Sequence, residues 1–308
     1  MKFEKKQFIA NLEKGMTVSD IFVVKNKSEI YRYSAGYRFE LLLGDKTGEI
    51  YLKYWGTNDY DAVKKIWEDI PLNSVIYVEA KVVVWNNTLE LSANEQSTIR
   101  VLGEEDYFKK DFIEISETIE KDMEELKSVI MNIDNDILRN FILNVFKNPN
   151  FLVEFKRSPA SYLTHYFYAG GLVKHTLNVA KICLNISKIH EYFDKNLLLA
   201  GAILHDIGRT KQFKIDTIIK PTNSYFLEPH EGIGVRMLQP YYESMAISSD
   251  FQVKLNHLIL THHTQPALPE GYLLKYANDL DIKMATIYKL KQLKKDNIVE
   301  FEEGFLFF

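Results

Sequence analysis

The residues of this chain best suited to chemistry are an adjacent histidine and aspartate, His205 and Asp206. They follow the apolar run 197–204, so we expect them at the buried end of a helix. An imidazole and a carboxylate placed side by side can bind one divalent metal ion while the carboxylate bridges to a second. Further histidines lie before and after the pair, in or beside segments of helical periodicity: His175, His230, His262 and His263. The chain has 8 histidines in all, so most of them fall in one region where a metal cluster can form.

The expected cofactor is a pair of divalent metal ions. Imidazole and carboxylate ligands suit manganese, iron, cobalt, nickel and zinc, and we favour manganese. Two such ions about 3.5–4 Å apart can hold the attacking and leaving oxygens of a phosphoryl transfer. The single cysteine, Cys183, excludes a zinc–thiolate site, which needs several thiolates.

The motifs around these histidines resemble the HD superfamily of metal-dependent phosphohydrolases, and within it the YhaM-like 3′–5′ exoribonucleases. Residues 170–176, GGLVKHT, resemble the GGL-x-x-HT opening of that branch, and residues 204–209, LHDIGR, resemble its L-HD-[IL]-G-K core. The resemblance implies that Asp206 bridges the two ions. It assigns two histidines to the first ion and three to the side of the second: His175 and His205, then His230, His262 and His263.

Three polar residues beside these motifs are candidates for substrate contacts. Arg209 stands where the family usually has lysine, and its guanidinium can hold a non-bridging phosphate oxygen. The alternative is a surface arginine that completes a helix C-terminus. Lys211 is a second candidate for a phosphate contact. His165 lies where the family also carries a histidine before the glycine pair, so we expect it to line the active site and orient substrate.

The match to the family fails at one ligand position. HD proteins end their ligand series with an aspartate on a late helix, and this chain has Asn278 there. Asparagine offers a neutral carbonyl oxygen, so the first metal would be held more weakly. Asp281 lies three residues further on and shares a helical face with Asn278, so it is the alternative ligand. The sequence leaves open which of the two completes the site.

The first hundred residues predict short strands rather than helices. Five strands are expected at 17–24, 37–43, 49–54, 75–85 and 88–92, with a helix at 60–70. A helix between the third and fourth strands is the plan of the five-stranded OB barrel, in which the second and third strands bind oligonucleotides. Residues 39–50, followed by Trp55, also resemble the OB domains of this exonuclease family.

Aromatic and basic side chains on the second and third strands predict a nucleic-acid-binding face, because rings stack on bases and cations neutralise phosphates. The candidates are Tyr37, Arg38, Tyr51, Lys53 and Trp55. Period-two alternation requires about half of such rings to fill the barrel interior. Residues 1–100 hold 14 Lys plus Arg and 14 Asp plus Glu, so nucleic acid must be held by a local patch.

The fold class expected from the sequence is an all-β OB barrel followed by an all-α HD domain. We divide the chain into an OB domain at 1–104, a helical bridge at 105–157 and an HD domain at 158–308. No apolar stretch of about 18 residues and no signal-peptide core occur, so we expect a cytoplasmic protein without membrane association. The apolar C-terminal residues Phe305, Phe307 and Phe308 pack either on this domain or on another subunit of a homo-oligomer.

The function predicted from these features is that of a metal-dependent 3′–5′ exoribonuclease. It would hydrolyse single-stranded RNA, with single-stranded DNA less favoured, by two-metal activation of water; the polarity and the RNA preference come from the resemblance alone. One alternative is an HD phosphohydrolase of small nucleotides. The other is a non-catalytic nucleic-acid-binding regulator whose site has decayed at Asn278, and the five retained histidines argue against it.

Overall fold

The computed structural model describes residues 2–190, 192–293, 298–302 and 304–307. The chain forms two compact units. The first is Met1–Ile115 with Asp216–Ile219, and the second is Ser116–Ile215 with Lys220–Phe308. The predicted domain bounds at 104 and 157 remain predictions.

The first unit is a closed β-barrel. Its strands are β1 (Thr17–Lys27), β2 (Tyr31–Tyr33), β3 (Gly36–Asp45), β4 (Gly48–Trp55), β5 (Val75–Trp85), β6 (Thr88–Asn94) and β7 (Ile99–Leu102). They pair in the order β1-β3-β4-β6-β5, and pairing of β1 with β5 closes the barrel. The pair β4–β6 is parallel, and helix α1 (Tyr60–Glu68) lies between β4 and β5 in the chain. This is the OB topology, with β1, β3, β4, β5 and β6 as its five strands.

Alternation along the strands separates a core face from an outer face. The inward residues of β3 and β4 are almost fully buried: Phe39, Leu41, Leu43, Ile50, Leu52 and Tyr54. Because successive side chains of a strand point to opposite faces, the residues between them lie on the outer face of the barrel. That outer face carries most of the residues predicted to bind nucleic acid.

The second unit is helical. Its helices are α2 (Ile119–Ile130), α3 (Asp136–Lys147), α4 (Pro149–Arg157), α5 (Gly171–Ser187), α6 (Lys195–Leu204), α7 (Asn223–Leu227), α8 (His230–Ser244), α9 (Ser249–Thr261) and α10 (Pro269–Leu293). Among the described residues, β8 (Phe213–Ile215) pairs with β9 (Ile219–Pro221), and β10 (Ile298–Phe301) pairs with β11 (Gly304–Phe307). The predicted fold class, an OB barrel followed by a helical domain, is confirmed.

Helix α6 is the centre of the helical core. Every residue from Leu197 to Leu204 is buried, which is the pattern of a helix surrounded by others. Helices α5, α9 and α10 pack around it. The helices α2 to α4 lie within the predicted bridge at 105–157. They contribute Leu126, Phe141 and Phe155 to the same core.

Two expectations concern parts of the chain beyond this core. No helix among the described residues is both long and apolar enough to cross a membrane. The side chains of Phe305, Phe307 and Phe308 lie outside the described residues.

A close backbone contact at Gly208 brings the His205–Asp206 turn against α8. The turn continues as a short 3-10 helix, Ile207–Lys211. A Cβ atom added to Gly208 would lie 2.0 Å from the carbonyl oxygen of His230 and 2.8 Å from the backbone nitrogen of Gly234. Glycine is therefore required for the first turn of α8 to approach Asp206.

We expect Gly208→Ala to destabilise the protein by about 1–3 kcal/mol, because the added methyl group must displace backbone rather than a flexible side chain. It should also weaken metal binding, since His230 moves away from Asp206. Thermal unfolding with and without Mn²⁺ measures both effects. Gly232→Ala is the matched control, because a Cβ there meets nothing within 4 Å and alanine is the better helix former. Equal stability of the two variants would contradict this account.

Candidate metal centre and nucleic-acid face

Four helices of the second unit bring the predicted histidines to one buried point. His175 lies in the first half of α5, and His230 is the first residue of α8. His205 and His262 directly follow α6 and α9 as their C-caps. Their exposed fractions are 0%, 6%, 0% and 0%, and that of Asp206 is 3%. His175 and His262, which are 87 residues apart in the sequence, thus share one site.

The outer nitrogen of each imidazole is held by an acceptor. Nδ1 of His205 lies 2.9 Å from the carbonyl oxygen of Ala202, and Nδ1 of His262 lies 2.7 Å from that of Ile259. A carbonyl oxygen only accepts, so each Nδ1 carries a hydrogen, and Nε2 is the ring atom that faces the site. This arrangement is the usual support for a metal-binding histidine.

The other two buried histidines have carboxylates beside Nδ1, and for His175 the contact is a hydrogen bond. Nδ1 of His175 lies 2.7 Å from Oδ2 of Asp281, and Nδ1 of His230 lies 3.2 Å from Oε2 of Glu231. In all four histidines, Nε2 is the ring atom that lies nearest Asp206.

The Nε2 atoms form two groups that share Asp206. In the first group Nε2 of His175 and Nε2 of His205 are 3.2 Å apart, and they lie 3.6 and 3.7 Å from Oδ2 of Asp206. In the second, Nε2 of His230 and Nε2 of His262 are 3.4 Å apart, and they lie 2.8 and 3.5 Å from Oδ1 of Asp206. His263 is exposed, but its ligand atom belongs to the second group, within 4.8 Å of the others.

These separations fit divalent metal ions. Each nitrogen pair is close enough for both of its atoms to bind one ion. With metal–nitrogen bonds of about 2.1 Å, adjacent ligands are about 3.0 Å apart in an octahedron and about 3.4 Å apart in a tetrahedron. The observed nitrogen pairs fall in that interval. The donor set, imidazole with carboxylate, suits manganese, iron, cobalt, nickel or zinc.

The charge state of the site also suits a metal. Burial opposes ionisation of Asp206, but His205, Arg209 and His230 nearby outweigh it and hold the pKa of Asp206 well below its ordinary value. Burial lowers the pKa of His205 well below its ordinary value and lowers that of His230. Burial thus keeps the imidazoles of His205 and His230 neutral near pH 7 beside an ionised carboxylate, which is the protonation state that metal binding requires. Oδ1 of Asp206 is buried and lies 2.8 Å from Nε2 of His230.

Two of the predicted substrate-contact residues lie beside this centre. Nε of Arg209 is 3.7 Å from Oδ1 of Asp206, and its Nη1 donates to Oε1 of Gln212 over 3.3 Å. The ring of His165 lies 5.6 Å from that of His175, and burial together with His175 lowers the pKa of His165 to about 4. Lys211 is exposed and is paired with Glu154, so its charge is already balanced.

The outer face of the OB barrel brings together four of the five residues predicted to bind nucleic acid. The strand register pairs Arg38 with Trp55, and Lys53 and Tyr51 follow at alternate positions of β4. The guanidinium of Arg38 lies 5.0 Å from the ring of Trp55, and Tyr51 is 50% exposed. Rings and cations on one surface are what sequence-tolerant binding of single strands requires.

Tyr37 is not on this face. It has the parity of the inward residues of β3, where it packs partly buried against the barrel core. Its ring makes an edge-to-face contact with Tyr60, at 5.1 Å between centroids. The difference follows from strand alternation, which places Tyr37 opposite its neighbour Arg38.

The structure adds Trp85 to the face. Trp85 ends β5 at the Asn86–Asn87 turn and is 60% exposed, with the Lys53 ammonium 5.4 Å from its ring. A shallow cavity of about 270 Å³ is lined by Arg38, Lys53, Trp55 and Trp85, among others. A tryptophan at the end of the predicted strand 75–85, just before the next predicted strand, is the sequence signal that could have identified it.

Comparison with known proteins assigns the helical unit. Residues 172–290 match the model of the HD domain family, and this span contains every predicted metal ligand. The helical unit contains an HD domain. The prediction from the sequence motifs is therefore confirmed, together with the class of enzyme, the metal-dependent phosphohydrolases, to which HD domains belong.

Relatives also match outside the HD domain. The chain is 26% identical to the 3′–5′ exoribonuclease YhaM of Bacillus velezensis over 282 residues, which cover 88% of this chain and 87% of the relative. Among solved structures it is similar to the OB domain of Ta0387 from Thermoplasma acidophilum, with 16% identity and a TM-score of 0.24 over 32% of this chain and 86% of that one. It is also similar to a replication protein A heterotrimer bound to ssDNA, with 21% identity and a TM-score of 0.22 over 33% of this chain and 72% of that one. The chain spans less than half of several other matched structures.

Within the HD domain, Asp281 supports His175, and both of its carboxylate oxygens accept hydrogen bonds. Its Oδ2 accepts from Nδ1 of His175 over 2.7 Å, and its Oδ1 accepts from Tyr166 and Asn178, each over 2.9 Å. Tyr166 and Asn178 were not identified from the sequence. Asn178 lies three residues after His175 in α5, and that helical spacing is the signal that could have indicated it.

Asn278 is in a different situation. It lies one turn before Asp281 on α10, is 1% exposed, and its Nδ2 has no hydrogen-bond partner among the described residues. The unpaired Nδ2 is a hydrogen-bond donor, so it calls for an acceptor and not for a metal ion, which binds an amide through its oxygen. Which of Asn278 and Asp281 completes the first metal group stays a prediction.

We expect Asn278→Asp to tighten metal binding, because a carboxylate replaces a neutral oxygen, and Asp281→Asn to weaken it about 10- to 100-fold, because His175 loses its charged support. Chelator competition with Mn²⁺ measures both affinities. Asp279→Asn is the matched control, since Asp279 points to another side of α10. Weaker binding by Asn278→Asp would instead make Asp281 the ligand.

Proposed function

We propose that this protein is a metal-dependent 3′–5′ exoribonuclease that degrades single-stranded RNA, with single-stranded DNA as a poorer substrate. The observation that carries the proposal is the pair of imidazole groups that share the Asp206 carboxylate. Two-ion sites bridged by a carboxylate are suited to phosphodiester hydrolysis. The similarity to YhaM over 88% of the chain supports the polarity and the RNA preference.

The metals, when bound, supply the Lewis acidity that activates water and stabilises the leaving oxygen, and manganese is the ion we favour. The chain's own residues do the rest. His175 and His205 form one ligand group and His230, His262 and His263 the other, while Asp206 belongs to both. The site is buried, and hydrogen bonds orient its ligand side chains. It therefore needs little rearrangement to bind its ions.

Arg209 and His165 are proposed to position the substrate. The Nε–H of Arg209 is buried and has no hydrogen-bond partner among the described residues, so it is available to donate to a non-bridging phosphate oxygen. His165 is neutral at pH 7, so its ring can accept or donate a hydrogen bond without adding charge to the centre.

The OB barrel is proposed to retain the polymer while its end is hydrolysed. Arg38, Lys53, Trp55 and Trp85 offer two cations and two rings on one surface. Lys53 is paired with Glu90 over 2.7 Å, and Arg38 lies 3.7 Å from Glu40, so stacking contributes more than charge to affinity. A cytoplasmic location is part of this proposal.

A time course on 5′-labelled single-stranded RNA and DNA, with and without Mn²⁺, tests the function. A descending ladder of 5′-labelled products that requires Mn²⁺ is the expected result. Turnover of mononucleotides without polymer degradation would instead support a small-nucleotide phosphohydrolase. A protein that binds RNA but hydrolyses neither substrate would be a non-catalytic regulator.

We expect Asp206→Ala to slow hydrolysis by at least about a thousandfold, since the shared carboxylate supports both ligand groups. Bound metal, measured after dialysis, should fall in parallel while circular dichroism shows a folded protein. Asp250→Ala, which removes an exposed carboxylate of the same unit, is the control and should leave the rate unchanged. Full activity of a remetallated Asp206→Ala sample would reject the site.

We expect Trp85→Ala to weaken binding of a long single-stranded RNA about 5- to 150-fold, because one base loses its stacking partner. Trp85→Phe should recover part of the loss. Fluorescence anisotropy with labelled RNA measures the affinity. Leu72→Ala removes another exposed apolar side chain of the barrel unit and serves as control. If Trp85→Ala binds as tightly as that control, the barrel face does not hold RNA through Trp85.

A further inference from the structure

The segment between β9 and α8 exposes two large apolar side chains in succession. It contains the short helix α7, in which the side chains of Phe226 and Leu227 are 69% and 78% exposed. Adjacent exposed apolar side chains at the edge of a polar site favour a ligand contact over a neutral surface. Neither residue has a role in the metal centre described above.

A cavity of about 490 Å³ joins this segment to the metal centre. It is lined by the aromatic residues Tyr225 and Phe226 and also by Arg209 and His230. Its volume lies within the range of about 300–1,000 Å³ that is typical of small-molecule sites. The cavity therefore combines an aromatic surface, a free cationic N–H and a metal-binding histidine.

The segment is tied to the metal centre through Gln212. This side chain is 2% exposed; its Nε2 donates to the carbonyl oxygen of Glu228 over 2.9 Å, and its Oε1 accepts from Arg209 over 3.3 Å. The backbone N–H of Thr222 donates to the carbonyl oxygen of Gln212 over 2.9 Å. Gln212 thus links both ends of the segment to the residue that faces Asp206.

Aromatic packing fixes the rings of the segment. Tyr225 lies 5.5 Å from Phe213 and 5.7 Å from Tyr162, between ring centroids. Phe226 meets Tyr225 edge to face, at 5.1 Å and 88°. An edge-to-face contact supports the Phe226 ring at one side while most of its surface stays exposed. The ring is therefore positioned before any ligand binds, which lowers the entropic cost of binding.

The charges of the cavity suit a phosphorylated ligand. Glu228 also lines it, but its carboxylate is paired with Arg236 over 2.6 Å, which reduces its repulsion of an anion. Arg209 keeps a buried Nε–H without a partner among the described residues. A ligand with a phosphate beside Arg209 and a flat ring beside Phe226 is a nucleotide.

We propose that this cavity binds the terminal nucleotide of the substrate, with its base stacked on Phe226 and its phosphate beside Arg209 and the metal centre. The inference rests on the proposed function and names the part of the RNA that this site holds. In the reaction, the oxygen of water bonds to phosphorus, the bond from phosphorus to the 3′ oxygen breaks, and a proton from water passes to that oxygen. The product held in the cavity is a nucleoside 5′-monophosphate.

The test compares AMP with ribose 5-phosphate, which has the same sugar and phosphate but no base. Calorimetric titration of the Mn²⁺-loaded full chain gives the Kd of each. Stacking of one base predicts that the native protein binds AMP about 5- to 150-fold more tightly. Phe226→Ala should bring the two Kd values together, and Phe226→Trp should restore the difference. Tyr276→Ala, which removes a 64% exposed ring of α10 outside the cavity, should leave the ratio unchanged.

The outcomes separate this proposal from the proposed function. A native protein that binds both ligands equally, or a Phe226→Ala variant that keeps the native ratio, overturns the base subsite. The RNA time course is run on the same preparations. If RNA is not degraded while the ratio collapses in Phe226→Ala, the exonuclease function fails and the subsite stands. If RNA is degraded while Phe226→Ala keeps the native ratio of Kd values, the exonuclease function stands and the base subsite fails.

Discussion

The structure of the helical unit depends on one buried carboxylate. Asp206 is nearly inaccessible to water and surrounded by imidazoles, and the pKa of its carboxyl lies well below the ordinary value. Such a group is costly unless a cation compensates it. The apolar helix α6 holds it in place, the missing side chain of Gly208 lets α8 approach, and backbone carbonyls orient His205 and His262. Each of these features helps to present ligand atoms to a metal ion.

Much of this arrangement was predictable because it depends on residue type and spacing. Histidine is scarce, and its occurrence beside apolar helical segments indicates one cluster from the sequence alone. The barrel was predictable for a similar reason, since five short alternating segments and one helix in that order match few folds. Strand ends differed by only a few residues, as with β1, expected at 17–24 and observed at Thr17–Lys27.

The remainder depended on three-dimensional contacts that spacing does not encode. Asn278 and Asp281 share a helical face, and only the bonds from Asp281 to His175, Tyr166 and Asn178 distinguish them. Tyr37 and Arg38 are neighbours in sequence, and the barrel register alone decides which faces outward. Phe226 lies in a short segment with no periodic pattern, so its position at a cavity shared with Arg209 could not be predicted.

The two histidine groups link metal binding to the folding of the helical unit. Their Nε2 atoms lie 3.2 and 3.4 Å apart in the folded chain, whereas the unfolded chain does not hold them together. A cation that binds both nitrogens of a pair therefore binds the native state more tightly than the unfolded state and raises its stability by mass action. Four helices that come from distant parts of the chain meet at this point, so their mutual packing is thermodynamically linked to ion supply. A change in cellular metal availability would then alter the lifetime of the protein as well as its chemistry.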